Sequence, residues 1–320
     1  MTHHAVVATR SGDPEVLEWQ SWPLPSPGAG EVRLKTRLAG VNWADLAARR
    51  AVKAPQVLGL DTCGEITALG EGVTGWSIGQ RVAAFTPSGS YAEAVVVPVE
   101  QLYPLSDDLP DELGASLVTL VTAYNIVHWA ARVKAGETVL IHAAAGGVGS
   151  VAVQLAQQLG ARVLGVVGSE ERATWVKALG AEAITRHTTD WTAIVKEKTD
   201  GHGPDVILDS ISGETLERGL ELLAPFGRLV TCGQAGGRAA QVDTSLLHRQ
   251  NRALIGYSSG HYRAQRPAVL RGTVEKLFEL FRAGVIRLPP QQFFALSNAA
   301  DAHTWLEGEQ GMGKAFLLGN

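Results

Sequence analysis

Cysteine is almost absent from this chain of 320 residues, which contains only Cys63 and Cys232. The two cysteines are far apart and form no CxxC pair, so the sequence excludes a disulfide framework and a zinc site built from cysteines. Residues 1–10, MTHHAVVATR, also lack the apolar segment of a secretory signal. Both observations predict a cytoplasmic protein.

Clusters of basic residues are lacking as well. The chain has 28 Lys and Arg against 32 Asp and Glu, with a formal net charge of -4. It therefore has no basic surface of the kind that binds nucleic acid, and we expect no nucleic-acid partner.

One long stretch, residues 113–131, contains no charged residue and is long enough to span a bilayer. Polar residues recur at every third position of this stretch: Thr119, Thr122, Asn125 and His128. Such a polar ridge is unsuited to lipid. We predict a helix buried between two domains and no membrane partner.

Glycine, in contrast, is abundant, with 36 residues, and together with proline it divides residues 1–112 into short segments. Strand-like runs occupy 4–9, 16–22, 31–38, 63–69, 81–85 and 91–97. Short strands at even spacing, separated by Gly- and Pro-containing loops, are typical of a small β-barrel.

From residue 138 onwards, apolar strand-like runs alternate with helical stretches. The predicted strands are 138–142, 162–167, 183–185, 205–209, 227–232 and 252–257, and the predicted helices are 147–159, 170–179, 191–198 and 214–223. This alternation predicts an α/β domain with a doubly wound, parallel, six-stranded sheet that binds its ligand at the carboxyl ends of the strands. The tail adds a helix, 268–284, and a closing strand, 314–319.

The segment HAAAGGVG, residues 142–149, lies between the first of these strands and the helix that follows. It matches the G-x-G-x-x-G dinucleotide-binding turn with Ala144 in place of the first glycine, followed by Gly146 and Gly149. The position of Ala144 tolerates a small Cβ. Backbone N–H groups of the turn and of the helix start are expected to bind the pyrophosphate: Ala145, Gly146, Gly147 and Val148.

The end of the second strand usually carries an acid that binds the ribose 2′-hydroxyl, but Val167 and Gly168 stand there. Ser169 and Arg172 follow and offer a hydroxyl and a guanidinium to a 2′-phosphate, which favours NADPH over NADH. Alternatively, Ser169 only caps the next helix and Arg172 is a solvated surface residue. Two further adenosine contacts are expected after the third strand, at Arg186 and His187.

The segment 133–161 resembles the medium-chain dehydrogenase/reductase superfamily and, within it, the zinc-independent quinone oxidoreductase (zeta-crystallin-like) family. Further matching segments are 40–46, 70–82, 89–98 and 120–127. The resemblance implies NADPH-dependent transfer of hydride to a quinone or an α,β-unsaturated carbonyl. It also implies a homodimer.

The resemblance further implies a GroES-like β-barrel catalytic domain over 1–120, completed by 260–320, and a Rossmann NADP-binding domain over 121–259. The active site would lie in a cleft between them. Cofactor contacts are implied at Asn42, Thr122, Ser210, Cys232, Gly233 and Lys314, in addition to the turn and the adenosine-side residues. A substrate pocket is implied at Trp43 and Tyr262.

Zinc-dependent relatives carry a cysteine ligand and a histidine ligand at positions that hold Asn42 and the GLD segment (59–61) in this chain. No metal is therefore expected. The resemblance implies catalytic roles for Asn42, Asp45 and Thr122, with the Asn42 amide N–H stabilising the developing oxyanion and Asp45 orienting its neighbours. On the residues alone, Asn42 is equally a turn residue and Trp43 a core aromatic.

Many relatives have a tyrosine shortly after the GVN motif, where this chain has Ala47. His261 and Tyr262, in a predicted loop after the last strand of the sheet, could substitute for it. Two alternatives stay open: an enoyl-thioester reductase, and a crystallin-like protein that binds NADPH without significant turnover.

Overall fold

A computed structural model of the protein describes residues 1–186, 190–308 and 311–319. The chain forms two compact units. Unit 1 comprises Met1–Thr119, Pro267–Phe278 and Pro290–Asn320, and unit 2 comprises Leu120–Arg266 and Glu279–Pro289. The C-terminal segment that the sequence assigns as a whole to the first domain is thus shared between the two units.

Strands and helices are numbered separately, each in chain order. The strands are β1 (Thr2–Ala8), β2 (Leu17–Pro23), β3 (Glu31–Val41), β4 (Gln56–Val57), β5 (Asp61–Leu69), β6 (Arg81–Phe85), β7 (Ala94–Pro98), β8 (Leu102–Pro104), β9 (Thr138–His142), β10 (Arg162–Val167), β11 (Glu182–Thr185), β12 (Val206–Asp209), β13 (Arg228–Thr231), β14 (Ala253–Gly256), β15 (Gln291–Ala295) and β16 (Lys314–Leu318). The helices are α1 (Trp43–Arg49), α2 (Asp111–Gly114), α3 (Leu117–Tyr124), α4 (Gly147–Gln158), α5 (Glu170–Ala178), α6 (Trp191–Lys198), α7 (Glu214–Leu222), α8 (Ser245–His248), α9 (Ser259–Gln265), α10 (Pro267–Arg282) and α11 (Ala299–Glu307).

Unit 1 is built mainly from β-strands. Its larger sheet has the order β15-β16-β3-β5-β6-β8, with β7 paired to β3, and a three-stranded sheet has the order β2-β1-β4. The long strand β3 pairs with three partners, and two register shifts occur in its pairing with β5. Such irregularities bend a strand and increase its twist. Apolar side chains from β3, β5, β6 and β7 form a common core.

Unit 2 contains one sheet of six strands in the order β11-β10-β9-β12-β13-β14, and all of its pairs are parallel. This confirms the predicted six-stranded parallel sheet. The inner strand β9 has four buried residues of five, as expected for a parallel strand that is covered on both faces. Strand β14 lies at one edge of the sheet.

Two sequence-based interpretations need correction or extension. His261 and Tyr262 lie on helix α9, not in a loop, because Ser258 caps this helix by accepting a hydrogen bond from the backbone of His261 at 3.3 Å. The uncharged stretch, residues 113–131, contains α3, and α3 is followed directly by a π-helical turn, Asn125–Ala130. None of the helices in the described ranges has the length and apolar character needed to cross a bilayer.

Candidate cofactor and active sites

The glycine-rich turn connects β9 to α4 at the carboxyl end of the sheet. After β9, Ala143 adopts a left-handed conformation with φ of 50°, and the N–H of Gly146 donates to the carbonyl of Ala143 at 2.9 Å. Gly146 is the N-cap of α4 and has no side chain with which to cap it. Ala143, and not Ala144, therefore occupies the left-handed position of the turn.

Ala144 fits in place of the usual first glycine because the neighbouring strand leaves room for it. Its side chain is fully buried. A Cβ at Gly165 of β10 would lie 2.8 Å from the Cβ of Ala144. The glycine on β10 thus accommodates the methyl group on the turn.

Gly149 has the packing role that the fingerprint gives its third glycine. A Cβ at this position would lie 2.2 Å from the carbonyl oxygen of Ala143 and 2.8 Å from the Cα of Ala144. These are backbone atoms, which cannot rotate away. Helix α4 can approach the turn this closely only with glycine at this position.

The start of α4 fits the pyrophosphate of a dinucleotide. The first N–H groups of an α-helix have no acceptor within the helix, and the helix dipole favours an anion there. Gly146, Gly147 and Val148 are partly exposed, whereas Ala145 is buried. A Cβ at Gly146 would lie 3.2 Å from the carbonyl of Ala143, so glycine keeps this surface open.

Two arginines approach each other beyond the end of β10. A Cβ at Gly168 would lie 3.2 Å from a terminal nitrogen of Arg172 and 3.8 Å from Nε of Arg186. Ser169 caps α5 by accepting a hydrogen bond from the N–H of Arg172 at 3.3 Å, which is the alternative role that the sequence left open. Two guanidinium groups beside a position without an acid suit a 2′-phosphate. His187, the fourth residue predicted here, lies outside the described residues.

Three further predicted cofactor residues lie together after β12 and β13. The N–H of Cys232 donates to the carbonyl of Asp209 at 2.9 Å, and a Cβ at Gly233 would lie 2.9 Å from the carbonyl of Ser210. They lie at the carboxyl ends of the strands, where the ligand of such a sheet binds. Thr122, on α3, is buried.

In unit 1, Asn42 is the N-cap of α1, and its side chain joins a buried polar cluster. Its N–H donates to Oδ2 of Asp45 at 2.8 Å. Its amide Nδ2 donates to Oδ1 of Asp61 at 2.8 Å and to Oδ2 of Asp45 at 3.2 Å. Its Oδ1 accepts a hydrogen bond from Nζ of Lys314 at 2.5 Å.

This geometry changes the role expected of Asn42. The family resemblance implies that its amide N–H stabilises a developing oxyanion, whereas in the structure this group donates to the carboxylates of Asp45 and Asp61. Asn42 is also 6% exposed, so its side chain is held within unit 1. The arrangement fits a residue that orients Lys314, and it fits the orienting role predicted for Asp45.

Charge and burial oppose one another in this cluster, which we call the Asn42 cluster (Asn42, Asp45, Asp61 and Lys314). Burial and the neighbouring Asp61 raise the pKa of Asp45 to about 7. Burial lowers the pKa of Lys314, while the two carboxylates act in the opposite direction. Gly40 lets the Asp61 carboxylate lie close to the backbone of β3, because a Cβ at Gly40 would lie 2.5 Å from Asp61 Oδ1.

Sequence reasoning missed Asp61. The signal that could have found it is the GLD segment, which places an aspartate next to the position of the histidine ligand in zinc-dependent relatives. Asp61 links three elements: it lies on β5, accepts from Asn42 before α1, and accepts through Oδ2 from the N–H of Val118 at 2.9 Å.

The Asn42 cluster does not fit a zinc ion. Zinc sites need Cys, His, Asp or Glu ligands around one point, whereas the ammonium of Lys314 and the amide of Asn42 accompany the two carboxylates here. In the described ranges, no group of three or more His, Cys, Asp and Glu residues could hold a metal ion.

The two predicted pocket aromatics differ in their surroundings. Trp43, the first residue of α1, is 46% exposed, so it is not the core aromatic that the sequence also allowed. Tyr262 is buried against Trp129 and Tyr257, with ring centroids 5.4 and 5.8 Å away. Asn125 donates to the Tyr257 hydroxyl at 2.9 Å.

Comparison with known proteins agrees with both units. Residues 28–107 match the family described as alcohol dehydrogenase GroES-like domain, and residues 147–276 match the family described as zinc-binding dehydrogenase. A 2-haloacrylate reductase of Burkholderia sp is 34% identical, covering 98% of each chain. A quinone oxidoreductase of Pseudomonas aeruginosa is 36% identical, covering 96% of this chain and 97% of that protein.

Comparison with a solved structure supports the same family relationship. Escherichia coli quinone oxidoreductase complexed with NADPH superimposes with a TM-score of 0.92 at 27% identity, covering 99% of this chain and 100% of that chain. The α/β fold class, with a GroES-like unit and a Rossmann-like sheet, is thereby confirmed. The chain belongs to the medium-chain dehydrogenase/reductase superfamily and, within it, to the quinone oxidoreductase family.

Proposed function

We propose that the protein is an NADPH-dependent, zinc-independent oxidoreductase that transfers hydride to a quinone or a small α,β-unsaturated carbonyl compound. The observation that carries the proposal is the pair of anion sites on unit 2: the start of α4, and the two arginines beside Gly168. Two relatives with nearly full-length coverage are named as a 2-haloacrylate reductase and a quinone oxidoreductase.

NADPH would be held by this chain as follows. The N–H groups of Gly146, Gly147 and Val148 bind the pyrophosphate, and the guanidinium groups of Arg172 and Arg186 bind the 2′-phosphate. We assign further cofactor contacts to Asn42, Thr122, Ser210, Cys232, Gly233 and Lys314, the residues that the family resemblance implies. When bound, NADPH supplies the hydride.

The acceptor class follows from the Asn42 cluster. An unactivated ketone usually needs a Lewis acid to polarise its carbonyl, and the residues of the cluster do not suit a metal ion. Quinones and conjugated carbonyls are already electrophilic and need only a positioned cation or proton donor. Trp43 and Tyr262 are the aromatic side chains that we propose to contact such a flat acceptor.

Cofactor preference is tested by titrating NADPH and NADH against the protein and following fluorescence. A charge-assisted hydrogen bond contributes about 1.5–3 kcal/mol, so NADPH should bind roughly tenfold more tightly or better. The Arg172→Glu variant should lose that preference. Arg249→Glu changes an exposed arginine of the same unit and should retain it. Equal affinities for both cofactors in the unchanged protein would refute the assignment.

Turnover is tested by following NADPH absorbance with 9,10-phenanthrenequinone, a small enone and an enoyl-thioester. Oxidation with the first two supports the proposal. Reduction of the enoyl-thioester with quinones inert would favour the alternative activity. NADPH binding without oxidation by any acceptor would favour a crystallin-like binding protein.

We further propose a cytoplasmic homodimer that pairs through residues 252–259. Strand β14, within that segment, lies at the edge of the six-stranded sheet and presents unpaired backbone groups, which favour pairing with a second strand. Light scattering at micromolar concentration should give twice the chain mass of 33.9 kDa. A monomer mass, or a dimer that survives replacement of Leu254 by proline, would contradict this interface.

A further inference from the structure

The carboxyl ends of the six strands in unit 2 form two halves with different surroundings. The half made by β9, β10 and β11 has the glycine-rich turn and the two arginines that we assign to the pyrophosphate and the 2′-phosphate. A dinucleotide lies across both halves of such a sheet, so the nicotinamide belongs to the half made by β12, β13 and β14. An acceptor that takes hydride from NADPH therefore lies beside the ends of these three strands.

A tyrosine stands at the end of the last of them. Tyr257 follows β14 directly, and its N–H donates to the carbonyl of Thr231, at the end of β13, at 2.9 Å. Cys232, the next residue after Thr231, donates in the same way to the carbonyl of Asp209 at the end of β12. Tyr257 thus continues the row of strand ends that includes residues we assign to the cofactor.

We propose that Tyr257 is a further catalytic residue of unit 2, whose hydroxyl is held by Asn125 and donates a hydrogen bond to the carbonyl oxygen of the quinone or enone. The proposal rests on the proposed function for the identity of the acceptor. It gives Tyr257 the oxyanion contact that the amide N–H of Asn42 does not offer, because that amide donates to two carboxylates.

The bond between Asn125 and Tyr257 directs the hydroxyl proton away from Asn125. The amide Nδ2 of Asn125 donates to the Tyr257 oxygen at 2.9 Å. An amide N–H only donates, so the phenolic oxygen is the acceptor in this bond and its own proton can be donated elsewhere. Asn125 is 2% exposed and Tyr257 is 6% exposed. In such shielded surroundings a fixed donor stabilises a developing oxyanion more than it would in water.

The position of Asn125 brings the hydroxyl to a face that we already assign to the cofactor. Asn125 is the first residue of the π-helical turn that follows α3, and Thr122 lies three residues earlier on α3. Residues three apart in a helix share one face. π-Helical turns are also frequent at functional sites.

Aromatic packing fixes the ring of Tyr257. The ring centroids of Tyr257 and Tyr262 lie 5.8 Å apart. Trp129 meets both rings edge to face, with centroids 6.2 Å from Tyr257 and 5.4 Å from Tyr262. Aromatic pairs of this geometry stabilise one another beyond their burial. An acceptor that contacts Tyr262, as we propose above, therefore lies beside Tyr257 as well.

The hydroxyl acts as a hydrogen-bond donor and not as an acid. Burial raises the pKa of Tyr257 to about 12, and the bond from Asn125 acts in the opposite direction. The tyrosine is therefore neutral at pH 7. In the reduction, NADPH supplies the hydride and water supplies the proton that the acceptor oxygen takes up, so Tyr257 begins and ends each turnover with its own proton.

The first test compares Tyr257→Phe with Tyr124→Phe, and each change removes only a hydroxyl. Tyr124 is another tyrosine of unit 2, and its ring stacks on His128 with centroids 4.2 Å apart. Tyr257→Phe should lower kcat with 9,10-phenanthrenequinone about 100-fold, whereas Tyr124→Phe should leave kcat unchanged. The Kd for NADPH should be unchanged in both variants. An unchanged kcat in folded Tyr257→Phe would overturn the proposal.

A second pair of variants tests the direction of the bond. Asn125→Asp replaces the amide donor by a carboxylate of the same shape, which would accept the Tyr257 hydroxyl proton and withdraw it from the acceptor. Asn125→Ala removes the partner but leaves that proton free to be donated. Asn125→Asp should therefore lower kcat as much as Tyr257→Phe does, and Asn125→Ala should lower it less. Equal losses in the two variants, with both folded by urea unfolding, would overturn the assigned direction.

Phenolate binding separates this inference from the proposed function. 4-Nitrophenolate carries an oxygen anion on a flat ring and is used as an analogue of the reduced acceptor. It is titrated, by its absorbance, against the protein saturated with NADP⁺. Its Kd should rise about tenfold or more in Tyr257→Phe and stay unchanged in Tyr124→Phe.

That result supports the hydroxyl contact even if no acceptor oxidises NADPH. Equal phenolate affinities in the unchanged protein and in Tyr257→Phe, or no phenolate binding to the unchanged protein, would overturn it.

Discussion

The two glycines of the dinucleotide turn should fail in different ways when each is replaced by alanine. In Gly149→Ala, the new Cβ would lie 2.2 Å from the carbonyl oxygen of Ala143, and the remaining close contacts are also with backbone. In Gly146→Ala, the only contact within 4 Å is at 3.2 Å, with the same oxygen. The first change therefore disturbs packing, and the second changes the surface that we propose binds the pyrophosphate.

The magnitude for Gly149→Ala is a balance of two terms. Alanine is better than glycine inside a helix by about 1 kcal/mol, which stabilises the variant. Overpacking costs about 1–3 kcal/mol, and a backbone clash this severe is at the upper end of that range. A net loss of about 2 kcal/mol should lower the unfolding temperature of unit 2 by about 4–8 °C.

Urea unfolding and calorimetry of the protein without cofactor measure this loss. NADPH titration of both variants then separates the two roles. Gly146→Ala should stay within about 1 kcal/mol of the unchanged protein in stability, and bind NADPH more weakly. A Gly149→Ala protein that is as stable as the original would refute the packing argument, because helix propensity alone predicts stabilisation.

Three further predictions concern the turn, metal ions and acid stability. Gly165→Ala should destabilise the protein by about 1–3 kcal/mol, since its Cβ would lie 2.8 Å from that of Ala144; adding Ala144→Gly should recover part of the loss in urea unfolding. A chelator should leave NADPH oxidation unchanged, and activity that disappears and returns with zinc would contradict the interpretation of the Asn42 cluster. Burial lowers the pKa of His142 and His303 to about 3, so the unfolded state binds more protons below its ordinary histidine pKa, and stability should fall as the pH drops from about 6.5 towards 3. This pH dependence of stability is measured in the Asp45→Asn variant, because the raised pKa of Asp45 increases stability as the pH falls and would mask the histidine effect. A free energy of unfolding that does not change with pH in this variant would contradict the prediction.

The strands and helices of the parallel sheet in unit 2 could be predicted from the sequence, because the apolar pattern of each segment matches its burial in the fold. Parallel inner strands such as TVLIH, residues 138–142, are buried on both faces and therefore contain continuous apolar runs. The helix that follows starts at Gly147, as the glycine pattern predicts. The ends of these elements could be placed to within a residue or two.

Unit 1 was less predictable, since long-range pairing decides much of its structure. Strand β15 is mostly exposed and exists through its pairing with β16, and α11 gains its place from packing against the strands of the core that includes Leu296 and Ala302. Neither has a strong pattern of its own. The Asn42 cluster joins residues from 42 to 314, a separation that no local motif can express.

Lys314 offers the most direct test of that cluster, because it is a buried cation beside two carboxylates. Lys314→Met keeps a side chain of similar length and removes the charge. Lys314 hydrogen-bonds Asn42, and the charges of Asp61 and Asp45 act on it across the cluster. Removing one of several interacting buried charges costs up to about 3–5 kcal/mol, because the charges that stay are no longer compensated. The loss should depend on pH. At pH 8 Asp45, whose pKa is about 7, is largely ionised, whereas at pH 5 it holds a proton and the cluster has one negative charge fewer.

We therefore expect Lys314→Met to lose the full amount of stability at pH 8 and clearly less at pH 5, measured by urea unfolding at the two pH values. The double variant Lys314→Met with Asp61→Asn removes the lysine charge together with the carboxylate charge that acts on it most strongly. It should therefore recover much of the stability lost at pH 8. Lys276→Met, on the exposed side of α10, controls for removing a lysine. An equal loss in Lys314→Met at both pH values would mean that the lysine stabilises by packing alone, since only an electrostatic contribution can be replaced by a proton.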